Sequence, residues 1–233
     1  DVTYNGIIET LMHYYGEDTS MRGKYDAAGW PFEVDLTTFE PRNYDYQMGF
    51  VGMQVATGYY IYREGVETGN NDMIKKGEAV LNFWASKSQT SLGLPRDWYD
   101  PGWWGNTGTF RDGSNLRVNT GGMESLIAAW AFAKRSGIEK PEWLDACKRY
   151  GDWLIDNQNR DGSYYFSYNH RVINALGKHP VTNSNKFLTI CAVRYLVELH
   201  IAAQADSPGD NKYREAAEKA GDFCYRNIHN TYT

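Results

Sequence analysis

The stretch Leu94–Arg117, LPRDWYDPGWWGNTGTFRDGSNLR, holds three of the chain's eight tryptophans, three aspartates and three arginines, and it has no apolar period. Large rings on an irregular surface loop are costly unless they pack or bind something. Asp97, Asp100 and Asp112 beside Trp98, Trp103 and Trp104 put proton-transfer groups next to flat stacking faces. That combination suits sugars: rings stack on C–H faces, planar polar groups bind hydroxyls, and two carboxyls flanking a glycosidic bond can hydrolyse it. A second stretch, NQNRDGSYYFSYNHR, adds Tyr164, Tyr165, Tyr168, His170 and Arg171.

The acids are not equally free for chemistry. Asp112 and Asp161 each stand in Arg-Asp-Gly-Ser, and Asp-Gly is the ordinary composition of a tight hairpin turn. The turn reading is preferred for Asp161, whose flanking GSYYFSY suits a short strand pair, and is evenly balanced for Asp112. Asp97, between Arg96 and Trp98, is less easily explained as a turn. Glu124 falls in the first turn of a predicted helix, where an interaction with the dipole is the plain alternative. Asp45 stands at the start of another, where capping competes. Asp97, Glu124 and Asp112 are the candidate catalytic carboxyls, and two of them are expected within roughly 5–10 Å of each other across a cleft.

The candidate substrate-binding set is Trp98, Trp103, Trp104, Arg111, Tyr164, Tyr168, His170 and Arg171. The competing account is that part of these rings simply plugs the top of the fold. Tyr168, Asn169, His170 and Arg171 in a row also offer the parts of a lyase, a Tyr or His base with Arg or Asn neutralising a uronate carboxylate. Arg160, Arg171, Lys178 and Lys186 against Asp161 make this loop basic on an acidic chain. A basic loop points to an anionic group on the substrate, with ordinary solvated charge as the alternative. Arg194 and His200, inside a predicted helix, either reach the axis of the fold or pair as core polar groups.

A net charge of −5 without any basic run argues against nucleic acid as a partner. No apolar run reaches the ~18 residues that a membrane span requires. The opening DVTYNGIIETL has neither the basic flank nor the cleavage motif of a signal peptide. A mature secreted chain would look the same, so the compartment stays open, with a periplasmic or extracellular setting slightly favoured. Cys147, Cys191 and Cys224 are odd in number and widely spaced in predicted helices, and they read as small buried hydrophobes. There is no HExxH, Walker glycine loop or GxSxG. No metal site and no cofactor are expected.

The elements that must position these groups are helical. Apolar periodicity with start and stop signals marks Asp1–Tyr15, Tyr44–Glu64, Asn71–Ser88, Gly121–Ser136, Pro141–Gln158, Lys186–Gln204 and Asp210–Ile228. Gly16, Gly65 and Gly137 serve as stops, Pro141 as a first-turn residue and Asp210 as an N-cap. Phe83, Trp153 and Phe223 are each 70 residues apart, as are Asn71, Pro141 and Asn211, and Met53, Met123 and Val193 register the remaining helices. A constant period implies a repeated helical hairpin. One helix class is charged on one side only, as at Lys75, Lys76 and Glu78. The other, FVGMQVATGYYIY, MESLIAAWAFA and FLTICAVRYLVELHIAA, is nearly apolar all round and so buried on most sides. Apolar helices ringed by amphipathic ones are the pattern of an all-α toroid.

With this hairpin repeat, and with the aromatic DGS turn in NQNRDGSYYFSYN after an outer helix, the chain resembles the six-hairpin (α/α)-barrel superfamily of glycosidases and polysaccharide lyases. The resemblance covers 1–233 as one domain, at the level of architecture, and resolves no single family. The paired Asp-Asp that some members carry on an inner helix is absent. The resemblance implies an α/α toroid whose long outer-to-inner loops, Glu17–Asn43, Gln89–Thr120 and Asn159–Asn185, share one functional face with the positive ends of the inner helices. A closed barrel needs six hairpins and only seven helices are marked. The toroid therefore reads as incomplete, to be finished by the remainder of a longer chain or by a second subunit. The implied activity is hydrolysis of glycosidic bonds in an oligo- or polysaccharide, uronic-acid-containing glycans included. A lyase and a non-catalytic sugar- or protein-binding repeat are the alternatives.

Overall fold

The computed structural model describes residues 27–229 apart from 36, 39, 102–107, 172 and 207. The expected helix Asp1–Tyr15 and the candidate residues Trp103 and Trp104 lie outside the described residues. In chain order the elements are β1 (Glu33–Val34), β2 (Pro41–Asn43), β3 (Tyr46–Gln47), α1 (Gln54–Thr68), α2 (Asn71–Lys87), β4 (Trp98–Asp100), β5 (Thr109–Phe110), β6 (Gly113–Asn115) and α3 (Leu116–Arg135). They continue with α4 (Pro141–Asp156), β7 (Ser167–Asn169), the one-turn α5 (Ile173–Leu176), β8 (Val181–Asn183), α6 (Thr189–Gln204) and α7 (Lys212–His229).

The long helices form two layers, the α/α-toroid arrangement. α1, α3 and α6 stand side by side with α3 in the middle, and α2, α4 and α7 pack behind them, α4 touching α2, α3, α6 and α7. The aromatic surplus largely fills the seam between the layers: Tyr62 meets Trp143 edge-on at 5.3 Å, and Tyr150 meets Tyr195 at 5.0 Å. Cys147 and Cys224 are buried as expected, whereas Cys191 is half-buried; all three are free.

Two inner helices start elsewhere than their apolar runs suggest. The run from Tyr44 becomes helical only at Gln54, because Tyr46 and Gln47 pair with Tyr99 and Trp98 instead. Between them, MGFVGM makes a tight turn in which Phe50 and Met53 adopt left-handed backbone, φ 54 and 45. A Cβ on Gly49 would run into Val118 O, and one on Gly122 into Met48, so this turn sits directly on the first turns of α3. α1 then continues through Gly65, which is pressed against Met73 and Ile74 of α2, and stops at Gly69 (φ 71) rather than at Gly65. α3 starts at Leu116 because Asn115 caps it, its side chain accepting from the Arg117 N–H at 2.9 Å. Glu124 therefore sits in the third turn of α3, not the first, and Asp45 precedes a strand rather than a helix. The repeat persists nonetheless: α2 starts at Asn71, α4 at Pro141 and α7 at Lys212, while Phe83 and Trp153 are equivalently buried.

Among the described residues, each stretch leading into an inner helix carries short strands, and these build three small sheets: β1–β2, β3–β4–β5 and β6–β7–β8. The second and third sheets each join strands from two successive connections. They form a rim at the N-terminal end of the inner helices.

Candidate functional site

Strand parity sorts the rim residues. Cross-strand partners share a face, and Tyr46 pairs with Tyr99, which pairs with Phe110. These three rings, with Met48 and Asp97, make the core face. The opposite face carries Gln47, Trp98 and Arg111. There the Arg111 guanidinium lies 4.4 Å from the Trp98 ring centroid and 2.5 Å from Asp45 Oδ2, which also accepts from Trp98 Nε1 at 2.9 Å. Phe32 tilts against Trp98 at 5.2 Å. Asp45 is 1 % exposed and its other oxygen has no partner among the described residues. Of the predicted binding residues, Trp98 and Arg111 are thus brought together, and the acid that joins them is Asp45.

Asp97 points the other way, into the core. Its Oδ2 accepts from the Asn115 N–H at 2.6 Å, at the head of α3. Burial pushes its carboxyl up to about 7, against the pull of that N–H and of Arg111. Glu124 lies nine residues beyond Asn115, a rise of about 13 Å along the helix, so the two acids share α3 but not one pocket wall.

Glu124 belongs to a different surface. Arg117, Gly121, Glu124, Ala128, Ala131 and Arg135 recur at helical spacing and form the one accessible stripe of α3. Burial raises Glu124 to about 7; Arg194 of α6, at 3.6 Å, opposes the rise, and Glu198 adds to it. At the head of the stripe the Arg117 guanidinium lies 3.9 Å from the Phe50 ring centroid. Phe50 and Met53 are exposed, and both are the residues with left-handed backbone. Such strain in a bulky residue persists only where its surroundings impose it, and it concentrates at functional sites. α6 contributes exposed Ile190 and Arg194 on the same side. Phe50 and Arg117 carry no motif; the exposed stripe and the positive φ are the signals that find them, whereas Arg194 is one of the two helix residues already read as reaching the axis or pairing in the core.

The third loop behaves differently from its sequence promise. Tyr164 and Tyr168 are buried in the core, not displayed for stacking. Burial pushes the Tyr168 hydroxyl up to about 12, and that oxygen accepts from the Tyr165 N–H at 3.2 Å. His170 is pushed down to about 3 by burial, with His179 and Arg96 adding to the effect. Neither group is poised as a lyase base at neutral pH. Asp161 is a turn residue: its side chain accepts from Ser163 N–H at 3.1 Å, ahead of Gly162 at φ 90. Asp112 is exposed, 3.8 Å from Arg171, and its carbonyl accepts from the His170 N–H at 2.7 Å. Asp112, His170 and Arg171 are therefore together, lining a rim cavity of about 470 Å³ with Arg96. Among the described residues no group of three or more His, Cys, Asp or Glu is placed to hold a metal, and no helix is long and apolar enough to cross a membrane.

No protein-family model matches the chain, and no curated protein matches it. Solved structures do. The chain is similar to a cellobiose 2-epimerase from Bacillus thermoamylovorans (TM-score 0.64, 11 % identity, 95 % of this chain and 53 % of that one). It is also similar to a family 76 glycoside hydrolase from a bovine Bacteroides thetaiotaomicron strain (0.61, 10 % identity, 96 % and 43 %). A third is an unsaturated glucuronyl hydrolase responsible for glycosaminoglycan degradation, from a Bacillus species (0.61, 14 % identity, 92 % and 53 %). The chain spans about half the length of these proteins. With its layered hairpins and strand-built rim, the chain shares the α/α-toroid fold of these proteins.

Proposed function

We propose that the chain is part of a carbohydrate-active enzyme that hydrolyses glycosidic bonds, with Glu124 as the acid–base group. The observation that carries this reading is the α3 stripe. It presents a carboxyl held near neutrality, which is where a general acid must be poised, 3.6 Å from Arg194 and two turns along α3 from Arg117, whose guanidinium lies over Phe50. Asp97, the other predicted acid, faces the core at the head of the same helix, about 13 Å away along its axis. Arg117 and Arg194, both on this side, favour a uronate beside the scissile bond, and Trp98 with Arg111 on the rim would hold the flanking sugars. Structural neighbours that include two glycoside hydrolases support the class of chemistry.

The test is a screen of glycans with and without uronic acids, using protein expressed from the full gene, scored by new reducing ends and by ultraviolet absorbance. Hydrolysis should release reducing ends without ultraviolet-absorbing products, and Glu124→Gln should lower the rate by about 10²–10⁴-fold. Absorbing products would mean a lyase. Interconversion of a free sugar without cleavage would mean an epimerase or isomerase, and binding without turnover a non-catalytic repeat. Any of these three results removes the proposal.

A further inference from the structure

The rim cavity lined by Arg96, Asp112, His170 and Arg171 has its own chemistry, and none of its lining residues belongs to the α3 stripe. Its histidine has a fixed tautomer. The single hydrogen of Ser114 Oγ donates to Pro95 O at 2.5 Å, so towards His170 Nε2, also at 2.5 Å, the hydroxyl can only accept. The ring proton is therefore on Nε2, and Nδ1 is a bare acceptor. His170 is 6 % exposed, and its Nδ1 is buried with no partner among the described residues.

The neighbouring ring shows what a satisfied histidine looks like here. Thr90 spends its hydrogen on Leu94 O at 2.9 Å, so His179 Nε2–H donates to Thr90 at 3.1 Å, while its Nδ1 accepts from Trp153 Nε1 at 3.0 Å. His179 is complete; His170 lacks a donor. The cavity also carries two guanidiniums against one carboxylate. Arg96 makes no ion pair among the described residues and rests 5.7 Å from the Phe110 ring centroid, while Arg171 is only loosely engaged by Asp112 at 3.8 Å.

We propose that this cavity is a second binding site, for a hexuronate or a sugar acid of similar size. Its carboxylate lies between Arg96 and Arg171, and a ring hydroxyl donates to His170 Nδ1. A neutral hexose would supply the hydroxyl but leave the arginines unanswered. A bare oxyanion would answer the arginines but bring no ring of hydroxyls to the buried nitrogen. A volume of about 470 Å³ accommodates one such sugar with water.

Because this is a binding claim, it is tested apart from turnover, by calorimetric titration with glucuronate, glucose and inorganic phosphate. Wild type should bind glucuronate in preference to the other two. Arg96→Met and Arg171→Ala, checked for folding by circular dichroism, should each weaken it by roughly tenfold or more. Lys75→Ala, exposed on the outer helix α2 and away from both sites, should leave glucuronate binding unchanged. In parallel, the His170 Nδ1 nitrogen resonance should move upfield when glucuronate is added, a readout that needs no substitution. Equal affinity for glucose, tighter binding of phosphate, unchanged affinity in both arginine variants, or a stationary Nδ1 resonance overturns the proposal.

Discussion

Replacing Asp97 by asparagine exchanges one oxygen for an amide, and it should make the fold more stable above neutral pH. In the folded chain the carboxyl is 6 % exposed and burial raises it from 3.8 to about 7. Three units at 1.36 kcal/mol each correspond to ~4 kcal/mol of penalty on the ionised form, an order-of-magnitude figure. The folded state keeps its proton to higher pH than the unfolded chain does. Between about pH 4 and 7 it therefore binds more protons, and this group's contribution makes stability fall as pH rises through that window. Asparagine removes the slope and keeps an oxygen for the Asn115 N–H, a bond worth ~1 kcal/mol. The expected gain is ~2–4 kcal/mol at pH 8 and near zero at pH 4. His170 and His179, lowered to about 3 and 4, act in the opposite direction; the unfolded chain binds their protons first, so their contribution is lost as pH falls below about 6.5. The reading must therefore come from variant minus wild type, measured by urea unfolding at several pH values. A gain that does not depend on pH, or a loss at pH 8, would refute the reasoning. Activity measured alongside should be retained, since Asp97 faces the core as the anchor of α3 and not the stripe that carries Glu124.

Three further changes are informative. Phe50→Asn should hold or raise stability by up to ~1 kcal/mol in thermal unfolding, since Asn tolerates left-handed backbone, while weakening glycan affinity in a titration. Arg111→Ala should cost ~2–3 kcal/mol in urea unfolding, because it strands buried Asp45; the figure is below that of a fully buried pair since Arg111 is 54 % exposed. Gly122→Ala should cost ~1–3 kcal/mol by the same assay, its Cβ being forced into Met48. Wild-type stability in that last variant would mean that the 48–53 turn does not press on α3.

The helical frame was legible because periodicity and punctuation are local. Asn71, Pro141 and Gly137 mark real ends, and the 70-residue spacing recurs between the layers. What failed locally was decided by distant partners. Tyr46 and Gln47 look helical, yet they pair with Tyr99 and Trp98 some fifty residues away. Gly65 looks like a stop, yet it is a close approach between α1 and α2. The site was read less well for the same reason. Composition singled out Trp98, Arg111, Asp112, His170 and Arg171 as candidates alongside Tyr164 and Tyr168, but the fold buries both tyrosines while leaving Arg111 accessible. No sequence rule says which tyrosines of YYFSY the core will take. The role of Asp45 depends on Arg111, 66 residues on, and the exposed Phe50 depends on a backbone conformation that bulky residues rarely adopt.

The rim has a consequence for how such a chain can change. β3 and β4 come from different connections, and so do β6 and β7, yet each pair shares one hydrogen-bonded ladder. The loops are laced together, so replacing one wholesale would strip edge strands from its neighbours. Divergence of the binding face should then proceed by coordinated exchange of adjacent loops, or by lengthening the connection between Asp100 and Thr109, which carries Trp103 and Trp104. Doubling the length of a connection costs only about 0.6 kcal/mol in closure entropy. For anyone redesigning specificity, that connection is the natural place to graft.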